Sequence, residues 1–220
     1  MSRKKLHRFA HNIEAHNVIE RGKEFYTTIK GNWNKDYFEN ENPIVLELAC
    51  GKGEYTVGFG EAYPSKNFIG IDIKGDRIAR GSKRAIEKNL SNVAFLRTPI
   101  QFLEEFFEEN EVSEIWIIHP DPQPRDKEEK KRLTFISYLE LYKKLIKPNS
   151  LVHLKTDNFP FFEYSIESLK TNGFRILEQT TDLYQSDLYK EHLGIETYYE
   201  RKFVDLGYKI NYLKAELIEK

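Results

Sequence analysis

The stretch from Ile44 to Asp72 leaves few folds open to this chain. Ile44-Val45-Leu46-Glu47-Leu48 is a short, mostly apolar run that breaks into Ala49-Cys50-Gly51-Lys52-Gly53, after which Glu54 to Ala62 has helical character. A second apolar run, Asn67-Phe68-Ile69-Gly70-Ile71, ends on Asp72. Strand, glycine turn, helix, strand and terminal acid make the opening βαβ unit of a nucleotide-type site, with the acid placed to take ribose hydroxyls.

The charge inside this unit selects among ligands. A dinucleotide fold lays a pyrophosphate over its glycine turn and needs a third glycine, whereas this chain has Thr56 there and a carboxylate, Glu47, just before the turn. A phosphate-binding loop fits no better, because Gly51-Lys52 is followed by Gly53 rather than the Ser or Thr that holds magnesium. A cationic cofactor with an adenosine end does fit: S-adenosylmethionine carries a sulfonium and an ammonium that Glu47 could face. The plainer alternative is a chance βαβ turn with a solvated Glu47.

The order of later elements extends the unit into a sheet. Gly75 to Asn89 is expected as a helix, Val93 to Thr98 as a strand stopped by Pro99, and Glu114 to His119 as a buried strand. A helix from Leu133 to Ile146, a strand from Leu151 to Thr156, a helix from Phe161 to Thr171 and a strand from Phe174 to Gln179 follow. Strands alternating with helices imply a mainly parallel, doubly wound α/β sheet. Thr197-Tyr198-Tyr199-Glu200 has the spacing of a capping box, so a short helix should start there. Tyr208 to Leu217 then alternates as a half-buried strand, antiparallel because its connection is short, which makes seven strands.

Composition sets the outer bounds. With 220 residues the chain can bury one good core, and no Pro- or Ser-rich linker divides it, so residues 1–30 are expected as a basic arm and lead-in and 31–220 as one domain. The 34 Lys and Arg against 35 Asp and Glu give a formal net charge of -1, so any nucleic-acid contact must come from local clusters. Two clusters qualify. Arg3, Lys4, Lys5 and Arg8 form an arm expected to be a mobile, solvated terminus with the capacity to touch phosphate. Arg125, Lys127, Lys130, Lys131 and Arg132 outnumber Asp126, Glu128 and Glu129 by two charges, as a phosphate patch or a solvated face. The single cysteine, Cys50, excludes an internal disulfide and fits a reducing cytosol, and no apolar run or signal peptide marks a membrane or secreted protein. A cytoplasmic protein is the expectation, with no obligate protein partner evident.

Four acids, Glu47, Asp72, Asp121 and Asp157, lie at or just beyond strand C-terminal ends, where doubly wound sheets bind ligands. Turn and cap roles are the alternative for each. Asp121 sits in His119-Pro120-Asp121-Pro122-Gln123-Pro124, where alternate prolines fix the backbone and hold its carboxylate on a stiff arm. No Ser-His-Asp, Cys-His or metal-ligand cluster is evident.

Glu47 through Gly53, Gly70-Ile71-Asp72, Pro120-Asp121-Pro122, Lys131-Arg132-Leu133-Thr134, Lys155-Thr156-Asp157-Asn158 and Thr197-Tyr198-Tyr199-Glu200 with Phe203, in this order, resemble the bacterial tRNA (guanine-N7)-methyltransferase family from about Gly31 to Leu217. The resemblance implies a Rossmann-like class I methyltransferase fold, S-adenosylmethionine as cofactor, and methylation of N7 on the variable-loop guanosine of tRNA. It implies cofactor-binding roles for Glu47, Asp72 and the turn glycines Gly51 and Gly53. Asp121 resembles the active-site aspartate at the cofactor, and Arg125, Asp157, Thr197, Tyr198, Tyr199 and Glu200 resemble substrate-binding positions. The chain departs from the family's usual residues at Ala49 (glycine), Pro99 (an acid), Gln123 (an aromatic) and Arg125 (lysine). Competing expectations are a methyltransferase of another RNA or a small molecule, and an RNA-binding or regulatory protein of the same fold without turnover.

Overall fold

The computed structural model describes residues 3–218. Its chain divides into two compact units, Met1–Ser113 and Glu114–Lys220, with the boundary inside one strand. The first unit contains α1 (Arg3–Glu14), β1 (Val18–Ile19), β2 (Ile44–Leu48), α2 (Glu54–Ala62), β3 (Asn67–Ile71), α3 (Gly75–Glu87) and β4 (Val93–Leu96). Its strands run in the order β1-β4-β3-β2. β2 pairs parallel with β3 from Ile44↔Asn67 to Leu48↔Ile71, and β3 pairs parallel with β4. Every residue of β2, β3 and β4 is buried, as expected of parallel strands covered on both faces.

Sequence periodicity missed β1, which joins β4 through Val18↔Phe95 and Ile19↔Leu96 and brings the strands to eight. The lead-in aromatics do more than cover an edge. Trp33 is fully buried, stacks on Phe107 with ring centroids 5.4 Å apart, and donates its indole N–H to the Phe106 carbonyl at 2.8 Å.

The N-terminal segment is a correction to the expected solvated arm. Residues Arg3–Glu14 form α1, which is fixed to α3: Asn12 donates to the Gly75 carbonyl at 2.8 Å, and His11 Nε2 lies 2.9 Å from Ser82 Oγ. Met1 and Ser2 lie outside the described residues.

The second unit contains most of β5 (Val112–Ile118), then α4 (Ile136–Leu145), β6 (Ile146–Thr156), α5 (Phe159–Thr171), β7 (Phe174–Thr180), α6 (Tyr198–Asp205) and β8 (Asn211–Leu217). Strand order is β5-β6-β8-β7, and β8 runs antiparallel to both of its neighbours, as its short connection required. Asn158 caps α5 by accepting from the Phe161 amide at 2.9 Å. In the interior Trp116 stacks flat on His153, with centroids 3.8 Å apart, and His153 Nδ1 meets the Tyr212 hydroxyl at 2.8 Å.

Candidate functional site

In the first unit the site is built at the end of β2 and β3. The turn Ala49 to Gly53 reverses the chain with three left-handed residues, Ala49 (φ 56), Gly51 (φ 57) and Gly53 (φ 63). Glycine takes this conformation freely, whereas at Ala49 the methyl group costs about 1–2 kcal/mol. Gly53 also serves packing: a Cβ there would lie 2.6 Å from the Phe95 ring. At Gly51 a Cβ would meet only the Ala49 carbonyl, at 4.0 Å, so the crest of the turn is open to a ligand. The Arg84 guanidinium holds the turn from α3 by donating to the Lys52 carbonyl.

Asp72 ends β3 and is almost wholly buried. Its Oδ2 accepts from the Gly51 amide at 2.9 Å and its Oδ1 from the Lys74 amide at 2.8 Å. Each carboxylate oxygen has a second lone pair, so two acceptor positions remain for a pair of hydroxyls. The acid therefore fixes the turn and keeps acceptor positions open.

Glu47 occupies the fourth position of β2 and is 6% exposed. Its Oε2 accepts from the Thr56 amide at 2.7 Å and from the Thr56 hydroxyl, which ties it to the first turn of α2. Burial pushes its carboxyl up to about 8, against the smaller opposing effect of the Thr56 hydrogen bonds. Cys50 is buried, and burial raises its thiol, so it is no nucleophile.

The second unit gathers a different set. His119, at the C-terminal end of β5, adopts φ 45, and its amide donates to the Lys155 carbonyl at 2.8 Å. His119 Nδ1 lies 3.1 Å from Asp157 Oδ1, and Nε2 lies 3.5 Å from Glu200 Oε2. Burial alone would lower the imidazole's pKa, but hydrogen bonds with Asp157 and Glu200 raise it overall. The imidazole thus sits between two acids.

Glu200 is 0% exposed and fully engaged. It pairs with Lys155, itself 0% exposed; Tyr184 Oη is 2.9 Å from its Oε1, and the Thr197 amide donates to its Oε2 at 3.2 Å. Thr197 Oγ1 accepts from the Glu200 amide in return, completing the capping box expected from the spacing. Burial raises the Glu200 carboxyl, but His119 and Lys155 outweigh it and hold the pKa at about 2. Both oxygens of Glu200 are engaged within this buried hub.

Asp157 differs. It is half-buried, and among the described residues only Oδ1 has a recorded partner. Asp121 is exposed on its proline-stiffened arm and accepts from the Gln123 amide at 3.2 Å. Tyr198 (60% exposed) and Tyr199 (49%) stand edge to face at the start of α6. Arg125, expected as a substrate contact, donates its Nε to Glu128 at 2.6 Å, and Lys131 lies 3.5 Å from the same carboxylate. The basic run is therefore partly self-neutralised, because its interleaved acids fall at helical spacing. His119, Lys155 and Tyr184 were absent from the expected site. Two of them lie within or beside quoted motifs, but only the fold brings Tyr184 to Glu200.

A glycine turn flanked by a buried strand-end acid, on a parallel βαβ unit, is the ligand-binding frame of a Rossmann-like α/β fold. The solved 16S rRNA methyltransferase KamB shares the fold, with TM-score 0.64 at 14% identity over 84% of this chain and 92% of that one. So does a mutant of the 16S rRNA (adenine(1408)-N(1))-methyltransferase from Catenulisporales acidiphilia, solved with cosubstrate SAM, with TM-score 0.57 at 14% identity over 86% and 91%. The family described as "Putative methyltransferase" matches residues 41–213. A tRNA (guanine-N(7)-)-methyltransferase of Cytophaga hutchinsonii is 47% identical over 99% of both chains. The chain belongs to the tRNA (guanine-N7)-methyltransferase family.

Proposed function

We propose that this protein transfers a methyl group from S-adenosylmethionine to N7 of the variable-loop guanosine in tRNA, with residues 31–220 as the methyltransferase domain and 1–30 as its lead-in. The observation that carries the cofactor assignment is Asp72. It is buried and tied to the glycine turn, and it retains the acceptor positions that ribose hydroxyls need. Glu47, Gly51, Gly53 and Asp72 would hold the cofactor, which supplies an electrophilic methyl group when bound.

Guanine N7 has a lone pair and carries no proton, so the protein has no proton to remove from the nucleophile. Its task is to position the base. Asp121, on its rigid Pro-Asp-Pro arm, suits a placement role at the reacting atoms. Guanine presents N1–H and an N2 amino group as donors, so a carboxylate on that edge favours guanine over adenine. Asp157 is our choice for that carboxylate, because one of its oxygens is held by His119 and the other has no recorded partner among the described residues. Glu200 keeps His119 and α6 in place. Tyr198 and Tyr199 offer exposed rings on which an unstacked base can lie.

Asp157→Asn tests the base contact. It keeps size but replaces a charged acceptor with an amide, so kcat/KM for tRNA is expected to fall at least tenfold, about 1.4 kcal/mol of transition-state stabilisation. Cofactor affinity and melting temperature should stay near parental. Parental methylation by the folded variant would remove Asp157 from the site.

Glu47 makes the cofactor's affinity depend on pH. A cationic ligand favours the ionised carboxylate, and the free protein holds the proton up to about pH 8. S-adenosylmethionine should therefore bind more tightly as pH rises from 6 to 8, by up to about tenfold per unit. S-adenosylhomocysteine, without the sulfonium charge, should show a weaker rise, and Glu47→Gln should flatten both. The same raised value means that Glu47 stabilises the free protein less as pH climbs from the ordinary carboxylate range towards 8. Calorimetry across this range decides it; a flat profile in the parent would sever Glu47 from the cation.

A further inference from the structure

Resting on the tRNA reading, the question left open by a net charge of -1 is where the protein holds a polyanion. The run after the Pro-Asp-Pro arm spends Arg125 and Lys131 on Glu128. The first unit offers a second basic surface, a groove of about 610 Å³ between α1 and α3. His7, Arg8 and His11 line it from α1, Arg80, Lys83 and the acid Glu87 from α3, and Ala79 and Ile86 supply apolar contact.

The groove is built rather than incidental. Asn12 and His11 bolt α1 to α3, so the basic wall is fixed to the helix that follows Asp72, and Phe9 lies beneath the guanidinium of Arg97, just after β4, at 5.1 Å. Its charges are available. Arg80 and Lys83 are exposed, and Arg80 has no recorded acidic partner among the described residues. Arg8 stands 3.9 Å from Asp76 and Lys83 stands 3.7 Å from Glu87. Long, partly or fully solvated pairs of this kind contribute at most about 1 kcal/mol and exchange readily for phosphate. Arg80 and Lys83 are three residues apart on one helix, so they are neighbours on its surface. Arg8, Arg80 and Lys83 outnumber Glu87 on the walls, so net positive charge over an apolar floor matches a ribose-phosphate backbone, charge to charge and sugar to methyl.

We propose that the α1–α3 groove docks the phosphodiester backbone of the tRNA, with Arg8, Arg80 and Lys83 as phosphate contacts. The groove would then grip the RNA without reading its sequence, leaving base choice to the residues around Asp157.

The test is the full-length double variant Arg80→Glu with Lys83→Glu, measured for tRNA affinity between 50 and 200 mM salt, for S-adenosylhomocysteine affinity and for melting temperature. Loss of two phosphate contacts should flatten the log–log salt slope by about 1.4–1.8, weaken tRNA binding at low salt at least tenfold and raise KM more than it lowers kcat. Cofactor affinity and melting should not move. Lys127→Glu with Lys130→Glu, in the run after the Pro-Asp-Pro arm, should change the slope less. If the groove variant keeps the parental slope and KM while the parent methylates tRNA, the docking surface is refuted and the tRNA reading stands. A parent that binds no tRNA would overturn both.

Discussion

Replacing Lys155 with methionine is expected to lower the stability of the protein by about 3–5 kcal/mol. Lys155 and Glu200 are both fully buried and paired, so removing the ammonium strands a carboxylate where water cannot reach it. The remaining donors, Tyr184, the Thr197 amide and His119, soften the loss towards the lower end of that range. Combining Lys155→Met with Glu200→Gln should recover much of it, because the cost lies in the unpaired charge more than in the absent pair. Urea unfolding measures both. A loss below about 1 kcal/mol in the single variant would mean that the pair is not formed. The pH dependence has a definite sign. Glu200's pKa is held at about 2, below the ordinary carboxylate value of 4.5, so its contribution is present above that value and lost as pH falls towards 2.

Asp72→Ala should weaken S-adenosylhomocysteine binding by roughly ten- to a hundredfold, corresponding to charge-assisted hydrogen bonds worth about 1.5–3 kcal/mol. Part of that loss is indirect. The Gly51 amide and the Lys74 amide each lose their acceptor, so the turn itself loosens. Asp72→Asn separates the two effects: its carboxamide oxygen can still serve one amide but offers fewer acceptors to a ribose. Calorimetry on the folded variants is the measurement, and unchanged affinity in Asp72→Ala would sink the assignment.

What the sequence disclosed and what it hid follow from the range over which each signal acts. The turn from Ala49 to Gly53, the acid ending β3 and the capping box at Thr197 are all local patterns, and the structure has each of them. β1 is two residues long, too short for any periodicity, and exists because Phe95 and Leu96 on β4 receive it. The arm from Arg3 to Arg8 looked solvated because charge dominates it; the helix Arg3–Glu14 is held through Asn12 and His11, whose partners Gly75 and Ser82 lie far along the chain. The surroundings of Glu200 were hidden for the same reason. Its distance from Thr197 announced the cap, but the burial of its carboxylate depends on Lys155 of β6 and on Tyr184, which no spacing connects. Arg125 is the converse case, since Glu128 stands three residues away and the pairing was already within helical reach.

The central claim is methylation at one atom of one base. Unmodified tRNA incubated with the protein and methyl-labelled S-adenosylmethionine, then digested to nucleosides, should yield label in 7-methylguanosine alone, and a transcript with the variable-loop guanosine changed to adenosine should take up none. Label in another nucleoside, undiminished labelling of the adenosine transcript, or no label from protein that binds the cofactor would contradict it.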